Sequence, residues 1–331
     1  MRRAVRVMIA GLALAVGGAA AGCSGAPGLA YPQGASHAPA SSSASSSASS
    51  VTAQVPASQR AKTAAGPTLT VVGAPKGVKA KEGILVDATT GQVLWSQGET
   101  TPLPIASITK VMTALVIIKA GGLNQELTVP HAVTGYVAKY AAQAAGLIPG
   151  QKFTVDELLH MLLIVSAADA AYTLAMTYGP GIDAFVAKMN AEAASLGLTS
   201  THFTSPDGLP YPTETSTYST PADLVRLGEA AMSYPEFRSI VSMRYYNIPK
   251  GNGHSAVSVT NTDVLIGTYP GIAGIKDGFT TAAGHTLLFE AVRSGRTLIG
   301  VVLGSPPTSF RSGAQDATKI LNWGFTLKQS P

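Results

Sequence analysis

The stretch PLPIASITKVMTALVII, residues 102–118, places a hydroxyl and an ammonium inside an otherwise apolar run. Residues Ser107 to Lys119 read as a helix. Residues three apart on a helix share a face, so Lys110 lies one turn from Ser107 on the same side. Burial lowers a lysine pKa because it disfavours the charged form. A readily neutralised amine can then take the serine proton, which is nucleophilic catalysis with lysine as base. A serine at a helix start also has its own backbone N–H free to help stabilise an oxyanion. Ser-x-x-Lys alone does not decide the matter, since a serine in that place is commonly just a cap.

Elements on either side give the fold class. GILVDATTGQVLWSQ, residues 83–97, is two β-like runs split by Thr-Thr-Gly, a hairpin signal. FTVDELLHMLLIVSAADAAYTLAMTY, residues 153–178, is a long apolar helix or helix pair, with Thr154 and Glu157 spaced as a capping box. Amphipathic helices follow at 181–197, ended by Gly197, and at 220–233, with Pro221 in the first turn. GIAGIKDGF, HTLLFEAV and RTLIGVVLGS are strands, and a last helix lies near Ala314 to Trp323. Arg293 and Arg296 bracket the final hairpin turn and are expected to be solvated. Strands, then helices, then strands make an α+β domain in which the first hairpin joins the later strands in one sheet.

The first 68 residues read differently. MRRAVR precedes an apolar run from Val7 to Ala21, too short to span a bilayer comfortably, so residues 1–22 read as a signal peptide. The boundary AAAGC resembles a lipobox with Cys23 as the lipidated residue. Its departure is Ala20 where leucine is usual, and the alternative is a plain signal peptide. Residues 23–68 are rich in Ser, Ala and Pro, including SSSASSSASS, and read as a disordered tether to a domain over 69–331. That reading places the domain outside the cell, on the outer face of the cytoplasmic membrane or in the envelope. The net charge of +5 includes Arg2, Arg3 and Arg6; without them 20 basic face 18 acidic side chains, no case for nucleic acid. His37, His131, His160, His202, His254 and His285 have no metal-ligand spacing, Cys23 is the lone cysteine, and no cofactor is expected.

Two further stretches give Ser107 and Lys110 a context. LLIVSAADAAYTLA and GIKDGFTTAAGH resemble the second and third motifs, S-x-N and K-T-G, of serine penicillin-binding enzymes, in the expected order. With the flanking FVAKMNAEAASLGLTSTHFTSPDGL, NTDVLIGTYPGIAGIKDGFTTAAGHTLL and LNWGF, the chain from roughly Gly83 to Phe325 resembles the low-molecular-mass D-alanyl-D-alanine carboxypeptidases, the S11 serine peptidases. The resemblance implies a largely antiparallel sheet flanked by helices, a helical subdomain, and a cleft at one sheet edge, the DD-peptidase and serine β-lactamase-like fold. It implies Ser107 as acylated nucleophile, Lys110 as base, Ser166 as proton relay and Lys276 as the cleft-edge cation. It also implies an oxyanion hole from the N–H groups of Ser107 and Phe279, with Asp277, Gly278 and Thr280 along the substrate. Peptidoglycan stem peptides are the implied partners, and β-lactams the implied covalent inhibitors.

Two positions depart from the pattern. Ala168 stands where the family has asparagine, and Asp277 where it has a hydroxyl that helps bind the terminal carboxylate. Three readings stay open. The enzyme tolerates both, with Asp277 paired to Lys276 or Arg311; it prefers another peptide terminus; or it is a non-catalytic relative that binds peptidoglycan. A β-lactamase is a further alternative, but fast deacylation needs a glutamate, and Glu214 reads as a surface-loop acid. Trp95 and Trp323 read as core or interface aromatics.

Overall fold

The computed structural model describes residues 69–251 and 253–329, so the signal segment, Cys23 and the tether lie outside the described residues. Five antiparallel strands form the main sheet: β1 (Glu82–Asp87), β2 (Val93–Gln97), β3 (Ile272–Thr280), β4 (Gly284–Arg293) and β5 (Arg296–Ser305). Their spatial order is β3-β4-β5-β1-β2, so the first hairpin does join the C-terminal strands, and β3 is an edge strand. The helices are α1 (Thr109–Ala120), α2 (Val133–Tyr140), α3 (Val155–Ile164), α4 (Ala168–Tyr178), α5 (Ile182–Ser195), α6 (Pro221–Met232), α7 (Pro235–Ser242) and α8 (Ser312–Thr326).

Alternation along the strands sorts side chains into two cores. Ile84, Val86, Ile299 and Val301 face the helical lobe, in one cluster with α1 and α3 to α7. Leu85, Leu298 and Val302 face the other way, onto Ala317, Ile320 and Leu321 of α8. Close packing is enforced by small residues. A Cβ on Gly228 of α6 would lie 3.1 Å from Ile299, and one on Gly324 of α8 would lie 2.6 Å from Leu85.

The long apolar run divides into α3 and α4 at Ser166, whose φ of +63° ends the first helix sharply. Thr154 and Glu157 form the capping box that the spacing predicts, and Thr220 caps α6 ahead of Pro221. Arg293 and Arg296 are half-buried and engaged by neighbouring groups, where full solvation was expected. The Arg293 guanidinium stacks 4.3 Å from the Tyr269 ring and 4.6 Å from Phe325. Arg296 donates to the Leu327 carbonyl at 2.9 Å and the Gly324 carbonyl at 3.3 Å, holding the end of α8. A hairpin-turn arginine is solvated only when no element folds over it, and here the C-terminal segment does. Trp95 and Trp323 pack half-buried against the α8 side of the sheet.

Candidate active site

Ser107 sits in a single 3-10 turn, Ala106–Ile108, that runs directly into α1. Ala106 has a φ of +49°, a left-handed conformation costly for a residue with a Cβ. Three contacts hold this turn. Thr109 Oγ1 donates to the Ala106 carbonyl at 2.8 Å. Thr286 Oγ1 of β4 lies 3.3 Å from the Ile105 carbonyl and 3.2 Å from the Gly278 carbonyl, tying the turn to the edge strand. Gly208, with a φ of +80°, packs so closely that a Cβ there would be 1.9 Å from the Ala106 oxygen.

Helix α1 is buried on nearly every side, so the apolar run around Lys110 is the spine of the helical lobe. Lys110 is 2% exposed. Its Nζ donates to Ser107 Oγ at 3.0 Å and to the Asp207 carbonyl at 2.9 Å. Burial pushes its pKa down to about 8, against the pull of Asp207 and with the help of Lys276. The i, i+3 reading is thus realised as a direct hydrogen bond, with the amine poised near neutrality.

Edge strand β3 closes the other side. Gly278 lies against the serine, and a Cβ there would sit 2.8 Å from the Ser107 nitrogen and 2.8 Å from Thr286 Oγ1. Gly278→Ala is therefore expected to push β3 off the Ser107 turn by a few tenths of an ångström. Acylation by a β-lactam should fall severalfold while the melting temperature moves little, because misplacement acts on rate before it acts on the fold. An unchanged acylation rate would show that β3 and Ser107 need not touch. Phe279 is half-exposed and tilts over His285 with ring centroids 4.5 Å apart. Thr280 Oγ1 accepts from the Ala283 N–H at 3.1 Å, shaping the β3–β4 turn.

Lys276 and Asp277 meet rather than diverge. Strand alternation starts their side chains toward opposite faces, yet Lys276 Nζ curls back to Asp277 Oδ1 at 2.6 Å and to the Asp277 carbonyl at 3.0 Å. Thr262 Oγ1 bridges them, donating to Asp277 Oδ1 at 2.6 Å and lying 3.3 Å from Lys276 Nζ. Burial alone would raise the Asp277 carboxyl; the Lys276 charge and the bonds from Lys276 and Thr262 outweigh it and hold the group below the ordinary carboxylate range. Of the two cations offered by the sequence, Lys276 is the partner. Arg311 instead lies over the Phe310 ring. Asp263, one residue beyond Thr262, is pushed up to about 7, first by burial and then by the charge of Asp277.

Ser166 is buried at the α3–α4 turn, and Ala168 is the first residue of α4, its N–H donating to the Gln143 carbonyl at 2.8 Å. The turn is tied to β3 through Thr262, whose N–H donates to the Ile164 carbonyl at 2.9 Å. Asp169 is structural: it accepts from the N–H groups of Ala145, Gly146, Leu147 and Ala170 at 2.9–3.0 Å. Glu214 is exposed. Sequence reasoning missed Asp207, Thr262, Thr286 and Tyr136, each brought in from a distant segment. Only the quoted SPDGL and NTD stretches hinted at the first two.

A serine hydrogen-bonded to a buried lysine at the foot of a core helix, against an antiparallel edge strand that carries a second lysine, is the architecture of a serine acyl-transfer protein in which lysine replaces histidine. The family is then set by similarity. A family model described as D-alanyl-D-alanine carboxypeptidase matches residues 69–307, and the chain belongs to that family, the S11 serine peptidases. It is 36% identical over 273 residues to a D-alanyl-D-alanine carboxypeptidase of Streptomyces sp. strain K15, covering 79% of this chain and 89% of that one. It is 39% identical over 253 residues to the carboxypeptidase DacB2 of Mycobacterium tuberculosis, covering 75% and 83%. The crystal structure of the Streptomyces K15 DD-transpeptidase superposes with a TM-score of 0.72 at 36% identity, covering 77% of this chain and 100% of that chain.

Proposed function

We propose that this protein is a serine D-Ala-D-Ala carboxypeptidase acting on peptidoglycan stem peptides through an acyl-enzyme. The observation that carries the reading is the buried Lys110 amine 3.0 Å from Ser107 Oγ. Ser107 Oγ attacks the penultimate D-Ala carbonyl as Lys110 takes its proton, and the oxyanion is met by the N–H groups of Ser107 and Phe279. The C–N bond then breaks. The leaving D-Ala amine receives a proton by way of Ser166, and water releases the acyl group. Lys276 and the β3 backbone from Asp277 to Thr280 line the donor peptide.

The test is direct. An N-acylated peptide ending in D-Ala-D-Ala should yield one equivalent of D-Ala, and penicillin should leave a covalent adduct that is released far more slowly than it forms. The slow release is expected because Glu214, the acid weighed for activating the deacylating water, is exposed to solvent. No D-Ala alongside reversible peptide binding would select the non-catalytic reading. Rapid multiple turnover of penicillin would select a β-lactamase.

A second reading of the donor is favoured by the Lys276–Asp277 pair. With its cation already matched, the site offers a free C-terminal carboxylate little attraction, and a donor ending in an amide or a cross-linked residue is spared that handicap.

We also propose that residues 1–22 are a signal peptide, that Cys23 carries the lipid, and that residues 23–68 tether the domain to the outer face of the membrane. Cells fed a labelled fatty acid should incorporate label into the wild-type protein but not into Cys23→Ser. An unlabelled, freely secreted wild type would refute the anchor.

A further inference from the structure

Asp207 is fully buried, and two parts of it bear on the same place. Its backbone carbonyl accepts from Lys110 Nζ at 2.9 Å. Its carboxylate accepts from the Tyr136 hydroxyl at 2.8 Å and from the Leu209 N–H at 3.1 Å. The loop that carries it cannot swing away. Gly208 is wedged on the Ala106 carbonyl, its N–H donates to Ser205 Oγ at 3.0 Å, and Thr113 Oγ1 donates to the Pro206 carbonyl. On the other side, the Tyr136 ring is held by Tyr172 and Tyr140, with centroids 4.7 and 5.4 Å away. Of α2, Val133 is buried and the other residues are half-buried or exposed. Tyr136 is thus the side chain by which this surface helix reaches the centre of the site.

We infer that Asp207 and Tyr136 are positioning residues for Lys110, a phenol–carboxylate couple that fixes where the amine points and how readily it gives up its proton. This rests on Lys110 acting as base. The groups that face Lys110 come from several elements: Asp207 from the 205–209 loop, Lys276 and Asp277 from β3, and Asp169 from α4. Asp207 is the strongest charge holding the proton on the amine, and Lys276 opposes it. The phenol donates one hydrogen bond to the carboxylate and draws its charge away from the amine. Burial and the Asp207 charge push the Tyr136 phenol well above its ordinary range, so it stays a donor throughout the working pH.

A backbone carbonyl would hold Lys110 equally well from any residue type. An acid there adds a field on the base, and its removal has a sign that structural damage does not mimic. The experiment is the pH dependence of penicillin acylation, followed by intact mass, for wild type, Asp207→Asn and Tyr136→Phe. Asp207→Asn should move the acid-limb midpoint down by about one pH unit, the scale of one buried charge at short range. Tyr136→Phe should move it up by a few tenths, because the carboxylate loses its donor and its field on the amine grows. If both variants slow acylation by a constant factor at every pH with the midpoint unmoved, the couple is merely structural and the inference falls. If Asp207→Asn does not fold, the direction of the Tyr136→Phe shift decides alone. A Lys110→Met control separates the two readings. Acylation that survives in it removes the base assignment, whereas a Lys110-dependent limb that Asp207→Asn leaves in place removes only this inference.

Discussion

Ser107→Ala is expected to abolish the penicillin adduct outright, and Lys110→Met to slow its formation by about a thousandfold or more, the scale lost when a nucleophile's base is removed. Both follow from one direct hydrogen bond between the two side chains. The wild-type rate should rise with pH through about 8, where the buried lysine loses its proton, because the neutral amine is the form that accepts the serine hydrogen. Stability has a linked sign. The lysine binds its proton less tightly in the folded chain than in the unfolded one, where its pKa is near 10.5. The unfolded state therefore holds more protons between pH 8 and 10.5, and stability climbs with pH over that window. Below pH 8 the full cost of burying a charged amine applies. Lys110→Met removes that cost and should raise stability there by an amount on the order of 2 kcal/mol while activity collapses, an exchange common at active sites. A Lys110→Met protein less stable than wild type at pH 7 would overturn the stability argument and show that the lysine's hydrogen bonds outweigh the cost of burying its charge.

Much of this was legible from residue order. Ser107 and Lys110 are one helical turn apart, so a local rule places them. The five strands and most of the helices follow from apolar period and from cap residues such as Thr154 and Thr220. What escaped the sequence depends on segments that meet only in three dimensions. Nothing near Thr286 announces that its hydroxyl bridges the Ser107 turn to β3. Nothing near Tyr136 announces that its hydroxyl reaches Asp207. The alternation rule sent Lys276 and Asp277 to opposite faces. It describes where a side chain leaves the backbone, whereas a lysine has four methylenes with which to turn back. A residue outside the strand, Thr262, settles the geometry by bonding to both.

That meeting changes the meaning of Asp277. An isolated carboxylate about 4 Å from a substrate carboxylate would repel it by ~1 kcal/mol in water and ~4 kcal/mol at an effective dielectric near 20. Paired at 2.6 Å with Lys276, Asp277 acts mainly by cancelling the cation that a C-terminal carboxylate would otherwise meet. Asp277→Thr should then do two things at once. It frees the Lys276 charge, and it supplies the hydroxyl that the third motif of the family carries. Lys276 keeps Thr262 Oγ1 and the carbonyl of residue 277 as partners, so the fold should survive. On a peptide ending in free D-Ala-D-Ala, kcat/KM is expected to rise tenfold or more, equivalent to ~1.4 kcal/mol recovered in the transition state. On the same peptide with an amidated terminus the change should be small, since no charge is there to attract. Asp277→Asn, which keeps the shape but not the charge, should fall between. If instead Asp277→Thr is no better than wild type on the free acid, the Lys276–Asp277 ion pair is itself a working part of this site. A preference of the wild type for the amidated peptide would then assign it to the recognition of termini that carry no charge.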